Sequence, residues 1–93
     1  MREKTIEQKF VAAVKAAGGL ALKFTSPGFD GVPDRIVLLP GGKMAFVEVK
    51  APGEKPRPLQ LARHRLLRRS GFRVSVLDEK SQIGGIIDEI QSA

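Results

Sequence analysis

Two carboxylates and an amine occur at positions where neighbouring strands of a sheet would end. Asp34 follows a proline, and Glu48 and Lys50 flank Val49 at the end of an apolar run. Carboxylate oxygens are the ligands that hard divalent cations prefer, and a lysine beside them can contact a phosphate. The residue types therefore indicate metal-assisted chemistry on a phosphodiester, if the fold brings the three side chains together.

The segments around these residues predict a β-hairpin. Residues 35–39 are mostly branched and apolar, which is typical of a strand. Residues 40–43, Pro-Gly-Gly-Lys, predict a tight turn, because glycine accepts the positive φ that such turns require. Residues 44–50 predict the returning strand, and their nearly unbroken apolar character indicates a centre that is buried on both faces.

Strand alternation places Glu48 and Lys50 on one face of the returning strand, together with Phe46. Asp34 precedes the partner strand and is expected near the end at which they emerge. Burial of Glu48 costs free energy unless a cation or hydrogen bonds compensate its charge. An alternative is that Glu48 and Lys50 form an ordinary ion pair at the end of a strand.

A helix is predicted over residues 5–17, with Thr5 and Gln8 as a capping box and Gly18-Gly19 as its stop. At 100° per residue its apolar positions fill one sector, namely Ile6, Phe10, Val11, Ala13, Val14 and Ala17. Glu7 falls inside this sector. It is therefore either a third carboxylate turned toward the metal site or a residue at the edge of the stripe that caps the backbone or pairs with a lysine.

The positive charge of the chain is concentrated in one segment. The net charge is +6, and residues 55–77 contain no acidic residue but seven basic ones: Lys55, Arg57, Arg63, Arg65, Arg68, Arg69 and Arg73. Such a surface binds phosphates, and the release of counterions supplies much of the affinity. The alternative is a solvated helix face.

Much of this basic segment is predicted to be a helix that begins at Pro58 and ends near residue 70. Its predicted buried stripe consists of Leu59, Ala62, Leu66 and Leu67, and its outward residues are Arg65, Arg68 and Arg69. Gln60 borders the stripe and can face the strand ends. His64, one turn later, is interpreted as a surface or phosphate-adjacent residue, with a catalytic role as the alternative. Arg63 lies within the stripe, as a snorkelling, interface or DNA-contacting residue.

The remaining segments predict structural elements. Residues 20–24 and 72–77 predict two more strands, the second of them parallel to a neighbour. Four isoleucines define a terminal helix that covers the sheet or pairs with a second copy: Ile83, Ile86, Ile87 and Ile90. Residues 26–31 form a loop into the site, where Lys23 and Ser26 are candidate phosphate contacts. With five Phe and no Trp or Tyr, an aromatic platform for bases is not expected.

Composition narrows the class of protein. The 93 residues predict a single domain, 1–93, whose small core would gain from dimerisation. With no cysteine and one histidine, disulfide frameworks, thiolate zinc sites and His-rich metal sites are excluded. No segment has the apolar length of a membrane helix, and the charged start leads into an amphipathic helix rather than a secretory signal. We expect a soluble, cytoplasmic protein with no membrane partner.

The order of these motifs resembles the PD-(D/E)xK nuclease superfamily. Within that superfamily, this chain is most similar to the VRR-NUC, or virus-type replication-repair nuclease, domains in its segments Gly31-Val32-Pro33-Asp34 and Glu48-Val49-Lys50-Ala51-Pro52. The similarity runs from about Thr5 to Leu77. The resemblance implies an α/β fold with a restriction-endonuclease-like αβββαβ core, in which helices flank a central mixed sheet. A C-terminal helix follows this core here.

The resemblance also implies a site. Asp34 and Glu48, with the backbone carbonyl of Val49, would hold Mg²⁺ or Mn²⁺, and Glu7 would reach the metal directly or through water. Lys50 would orient or deprotonate the attacking water or stabilise charge on the phosphate, and Gln60 would help to position the water or the lysine. The implied activity is that of a DNA endonuclease, acting as a homodimer on branched DNA such as Holliday junctions.

Two other functions are compatible with the residues. A non-catalytic nucleic-acid-binding module on the same fold would need the basic segment but not the carboxylates. A structural or assembly protein would use its basic segment to bind an acidic partner. The joint presence of Glu7, Asp34, Glu48 and Lys50 favours the nuclease, since a pure binder gains nothing from acids placed beside phosphate.

Overall fold

A four-stranded mixed sheet organises the chain, and the computed structural model describes all of its residues, 1–93. In chain order the elements are α1 (Glu3–Ala16), β1 (Leu20–Lys23), β2 (Arg35–Leu39), β3 (Lys43–Val49), α2 (Pro58–Arg69), β4 (Val74–Leu77), a 3₁₀ turn at Lys80–Gln82 and α3 (Ile83–Ser92). The strands are ordered β1-β2-β3-β4, antiparallel except for the parallel pair of β3 and β4. The αβββαβ core with a terminal helix is confirmed. None of the helices is both long and apolar enough to cross a membrane.

The predicted hairpin of β2 and β3 is present. Gly41 and Gly42 in its turn have φ values of 86° and 76°, a conformation that favours glycine. The register pairs Arg35 with Val47 and Leu39 with Lys43. Residues 45–49 of β3 are all buried, so the central strand is covered on both faces, as its apolar run predicts.

The apolar core lies between one face of the sheet and the helices α1 and α3. The strand residues that alternate toward it include Val37, Ala45, Val47, Val49 and Leu77. Helix α1 contributes Ile6, Phe10 and Val14, and α3 contributes Ile83, Ile86, Ile87 and Ile90. Full burial of such side chains contributes about 1.5–3 kcal/mol each. The terminal helix therefore covers the sheet, which is one of the two roles that its isoleucines predict.

Helix α1 begins earlier than its sequence signals predict. Glu3 is its first residue, and the N-cap residue Arg2 makes no side-chain capping bond. Thr5 and Gln8 consequently lie inside the helix, and the predicted capping box is not formed. The early start places Glu3 in the first turn, where a carboxylate interacts favourably with the helix dipole.

Helix α2 is oriented differently from the prediction. His64 is its only buried residue, and Leu59 and Leu66 are exposed. The predicted buried stripe is therefore wrong for Leu59 and Leu66, whereas Ala62 and Leu67 are half-buried. The helix instead turns Gln60 and His64 toward the sheet, where both bond to Glu48. A buried carboxylate that loses its partners costs about 3–5 kcal/mol, which is comparable to the exposure of two leucines.

Part of the sheet carries no helix on its second face. Ala21, Val37 and Leu39 pack against the core, so strand alternation turns Leu20, Leu22 and Leu38 to the opposite side. These three leucines are exposed. Leu20 and Leu38 are direct partners across β1 and β2, and with Leu22 they form an exposed apolar patch on the sheet.

Candidate metal and phosphate site

Asp34 is fixed immediately before β2. Its carbonyl accepts a hydrogen bond of 2.8 Å from Phe24 N, and its Oδ2 accepts one of 2.8 Å from Val49 N. The preceding Pro33 is buried. The side chain of Asp34 is thus bound to the backbone of β3 beside Glu48, as the hairpin register predicts. This contact also places the main chain of Val49 at the site.

Glu48 is the most enclosed carboxylate of the site, with 1% of its surface exposed. Its Oε1 lies 3.1 Å from His64 Nε2, and its Oε2 accepts a hydrogen bond of 3.3 Å from Gln60 Nε2. Gln60 Oε1 in turn accepts a 2.8 Å bond from Arg57 N at the start of α2. Gln60 therefore joins the helix N-terminus to the carboxylate, and its predicted orientation toward the strand ends is observed.

The carboxylates of the site repel one another. Burial first, and then the neighbouring Asp34, raise the pKa of Glu48 to about 8, although Lys50 opposes the shift. Partial burial and Asp34 also raise the pKa of Glu3. The nearby positive charge therefore does not balance the negative charge that Asp34 and Glu48 carry when both are ionised. A hard divalent cation fits this donor set, because oxygen ligands and a deficit of counter-charge are what such a cation requires.

His64 is part of this site, and its interpretation as a surface residue is wrong. It is buried against Glu48, and burial, Arg68 and Lys50 lower the pKa of its imidazole. The neutral ring can donate Nε2–H to an ionised Glu48, whereas its buried Nδ1 has no hydrogen-bond partner. The signal in the sequence is its spacing, since Gln60 and His64 are one helical turn apart and share a face.

Lys50 directly follows β3 and is half-buried. Its backbone N–H donates to Leu77 O over 2.8 Å, which extends the pairing with β4. Its charge acts on Glu48, Glu3 and His64. The amine that the sequence predicts at the carboxylates therefore lies among them.

Glu7 binds an arginine. Its Oε2 accepts a hydrogen bond of 2.9 Å from Arg35 Nε, and Arg35 Nη1 donates to Ala21 O over 2.9 Å. Glu7 thus connects α1 to the first residue of β2, which follows Asp34 in sequence, and its contact with a metal stays a prediction. Glu3, one turn earlier, interacts electrostatically with Asp34 and Lys50. The sequence prediction omitted it because the helix was expected to begin at Thr5.

The carboxylates do not surround an ion completely. No group of three or more His, Cys, Asp or Glu side chains is arranged to hold a metal by itself. Mg²⁺ usually keeps several waters beside one or two carboxylates. The pair of Asp34 and Glu48 is therefore a sufficient protein contribution if water or substrate oxygens complete the coordination.

The predicted phosphate-binding residues lie mainly on and before α2. Lys55, Arg57, Arg65, Arg68 and Arg69 are exposed, as is Lys23 at the end of β1. Arg68 Nη2 donates to Val74 O over 2.8 Å, and Arg73 lies 3.8 Å from Glu89. Ser26 is half-buried. The helix that carries these arginines is also the one that binds Glu48, so basic surface and carboxylates adjoin.

Comparisons with known proteins cover the whole site. Residues 3–80 match the family model of the VRR-NUC domain. A curated protein named "Putative nuclease p44", from Acyrthosiphon pisum secondary endosymbiont phage 1, is 55% identical over 80 residues, which is 86% of each chain. A solved structure described as a VRR_NUC domain has a TM-score of 0.87 at 36% identity, over 92% of this chain and 94% of that chain.

The raised pKa of Glu48 predicts how stability depends on pH in the absence of metal. The folded protein keeps the Glu48 proton up to about pH 8, whereas the unfolded chain releases it near the ordinary value of 4.5. The contribution of this group to stability is therefore full at low pH and lost as the pH rises through that window. Glu48→Gln stays neutral and should become more stable relative to the wild type between these pH values.

Urea denaturation of both proteins in EDTA, at intervals across this pH range, measures the difference. Comparison with the wild type removes the contributions of groups that both proteins share. A difference in the free energy of unfolding that stays constant with pH would contradict the assigned protonation of Glu48.

Proposed function

The chain belongs to the VRR-NUC domain family, and from this membership we propose that it is a nuclease that hydrolyses DNA phosphodiester bonds with Mg²⁺ or Mn²⁺. One observation carries the proposal. Asp34 bonds to the backbone of Val49 directly beside the buried Glu48 and Lys50, and an arginine-rich helix adjoins them. A protein that only binds DNA has no use for two carboxylates placed at the phosphate.

Asp34 and Glu48 are the residues that would hold the cation, with the Val49 carbonyl as a further ligand and Glu7 acting directly or through water. When bound, the cation supplies a water of lowered pKa and neutralises charge on the phosphate oxygens. Its charge would also replace the proton that burial and Asp34 favour on Glu48. The repulsion between the two carboxylates thereby supports cation binding.

The other site residues would orient the Glu48 carboxylate or act on the attacking water and the phosphate. Gln60 and His64 hold the two oxygens of Glu48 from one face of α2, so the carboxylate has one orientation before substrate arrives. Such preorganisation is a large part of catalysis, because the groups need not rearrange during the reaction. As an ammonium, Lys50 Nζ would stabilise the charge that develops on the phosphate, and only after losing its own proton could the amine take one from the attacking water. Its position agrees with both roles.

The basic surface of α2 and the segment before it supports a DNA substrate. Lys55, Arg57, Arg65 and Arg69 are exposed and form no ion pair with an acidic residue. They are free to contact backbone phosphates, which supply affinity but little sequence information. Together with Arg63, Arg68, Lys23 and Ser26 they form the proposed nucleic-acid surface.

A homodimer acting on branched DNA is the arrangement that we propose for the substrate complex. The exposed apolar patch of Leu20, Leu22 and Leu38 supports a second copy as its occupant, because large exposed apolar patches mark interaction sites and this short chain has a small core. Dimers of identical chains are usually two-fold symmetric. Such symmetry would present two equivalent sites to a four-way DNA junction.

Removal of single site residues should separate cutting from binding. Asp34→Asn and Lys50→Ala should each lower the rate of metal-dependent cutting by at least about 100-fold, as expected for loss of a positioned group in acid–base or electrostatic catalysis. DNA affinity in EDTA should fall little, because the basic surface is intact. Gel assays with four-way, flap and linear DNA, in Mg²⁺, Mn²⁺ or EDTA, measure both.

Asp88→Asn is the matched control, since Asp88 is an exposed carboxylate on α3, and its cutting rate should equal that of the wild type. Undiminished cutting by either site variant would refute the site assignment. Binding by the wild type without any cutting in either metal would instead indicate a non-catalytic nucleic-acid-binding module.

The proposed dimer predicts an effect of charges in the exposed apolar patch. The double variant Leu20→Glu/Leu38→Glu places two carboxylates on directly paired residues and should be monomeric. The wild type should sediment at twice the chain mass of 10.1 kDa. Leu61→Glu, at an exposed leucine of α2, should leave the dimer intact. Sedimentation velocity measures the oligomeric state of each protein. A monomeric wild type or a dimeric double variant would exclude this interface.

A further inference from the structure

Phe29 is a solvent-exposed aromatic side chain in the loop that leads to Asp34. It lies in the loop between β1 and β2, and 41% of its surface is exposed. The guanidinium carbon of Arg63 lies 3.8 Å from the centroid of its ring. One face of the ring is therefore covered by a cation, which leaves the opposite face and the edge accessible.

The loop that carries Phe29 is fixed to α2. Arg63 Nε donates a hydrogen bond of 2.7 Å to Asp30 O, and Phe29 N donates one of 3.0 Å to Ser26 O. Gly31 has a φ of +88°, and a Cβ there would lie 2.8 Å from Leu59 Cγ. The backbone thus packs directly against the helix, and the ring is presented in one position instead of folding onto the core.

The same helix contacts both Phe29 and the buried carboxylate. Arg63, which supports the ring, is adjacent in sequence to His64, and Gln60 lies one turn before both. His64 and Gln60 bind Glu48. At the other end of the loop, Asp34 follows Gly31 after only Val32 and Pro33. The loop that carries Phe29 therefore packs on the helix whose side chains hold Glu48 and leads directly into Asp34.

We propose that Phe29, supported by Arg63, is a stacking platform for an unpaired nucleobase next to the phosphate that is cut. This inference rests on the proposed nuclease function and assigns a preference for DNA with an unpaired base at the cut to one side chain. A base inside a duplex is stacked on both faces, whereas an unpaired base can stack on a protein ring. The arginine behind the ring adds positive charge for the adjoining phosphate. The absence of Trp and Tyr therefore does not exclude an aromatic contact.

The stacking platform is tested by a thermodynamic cycle in which the Phe29 ring and the unpaired base are removed separately and together. The DNA is a duplex with one unpaired nucleotide, prepared with its base or with an abasic sugar, and binding is measured by fluorescence anisotropy in EDTA. Phe29→Ala should weaken binding to the DNA with the base by about 5- to 150-fold, since base–aromatic stacking contributes about 1–3 kcal/mol. Removal of the base should weaken wild-type binding equally and leave the variant unchanged.

Two further variants sharpen the result. Phe29→Trp should retain the affinity for the unpaired base. Phe72→Ala should leave the preference for the base unchanged, because Phe72 has a similar exposure of 45% but lines a cavity that includes none of the site carboxylates. Binding to fully paired duplex should change by less than about twofold in every variant, as expected for phosphate contacts that remain.

The platform is excluded if Phe29→Ala weakens binding to duplex and abasic DNA as much as binding to DNA with the base, or if it weakens neither. The proposed nuclease function is judged separately, by metal-dependent cutting of the same DNA by the wild type. Loss of base preference in Phe29→Ala with residual cutting supports both proposals. Absence of cutting with an intact binding cycle removes the nuclease function and leaves the platform.

Discussion

The buried carboxylate of Glu48 is the constraint on which the rest of the structure depends. It lies on the central strand, between β2 and β4, with 1% of its surface exposed. A carboxylate in this position costs several kcal/mol when ionised unless partners compensate it. The chain supplies an amide and an imidazole from α2, and Asp34 beside them raises the cost further. A bound cation would compensate this cost. A buried carboxylate that lowers stability in the absence of a cation therefore indicates a metal-binding site.

The orientation of α2 follows from the same constraint. Because Gln60 and His64 face Glu48, the leucines on other sides of the helix remain exposed, and its outward arginines face the solvent. Arg63 is left to fix the loop that carries Phe29. A single helix thus holds the carboxylate, adjoins the basic surface and positions the aromatic ring. The opposite face of the sheet carries the apolar core that makes this arrangement stable.

Local signals in the sequence predicted most of the fold and half of the site. The glycines of the hairpin and the alternation along β3 are local features, and they brought Asp34, Glu48 and Lys50 together. His64 and Arg35 were missed because their partners, Glu48 and Glu7, are distant in sequence and become neighbours only through the sheet register. A hydrophobic wheel ranks polar residues as outward, so it placed His64 at the surface and Leu59 and Leu66 in the core. Glu3 was missed because Arg2 gives no capping signal.

Binding of Mn²⁺, measured by isothermal titration calorimetry between pH 6 and 9, tests the central claim most directly. The wild type should bind a cation with an affinity that rises up to about pH 8, because the cation must displace the proton of Glu48. Asp34→Asn and Glu48→Gln should abolish this binding, and Asp88→Asn should retain it. Equal affinities in all four proteins, or none in the wild type, would contradict the assignment of Asp34 and Glu48 as a metal site.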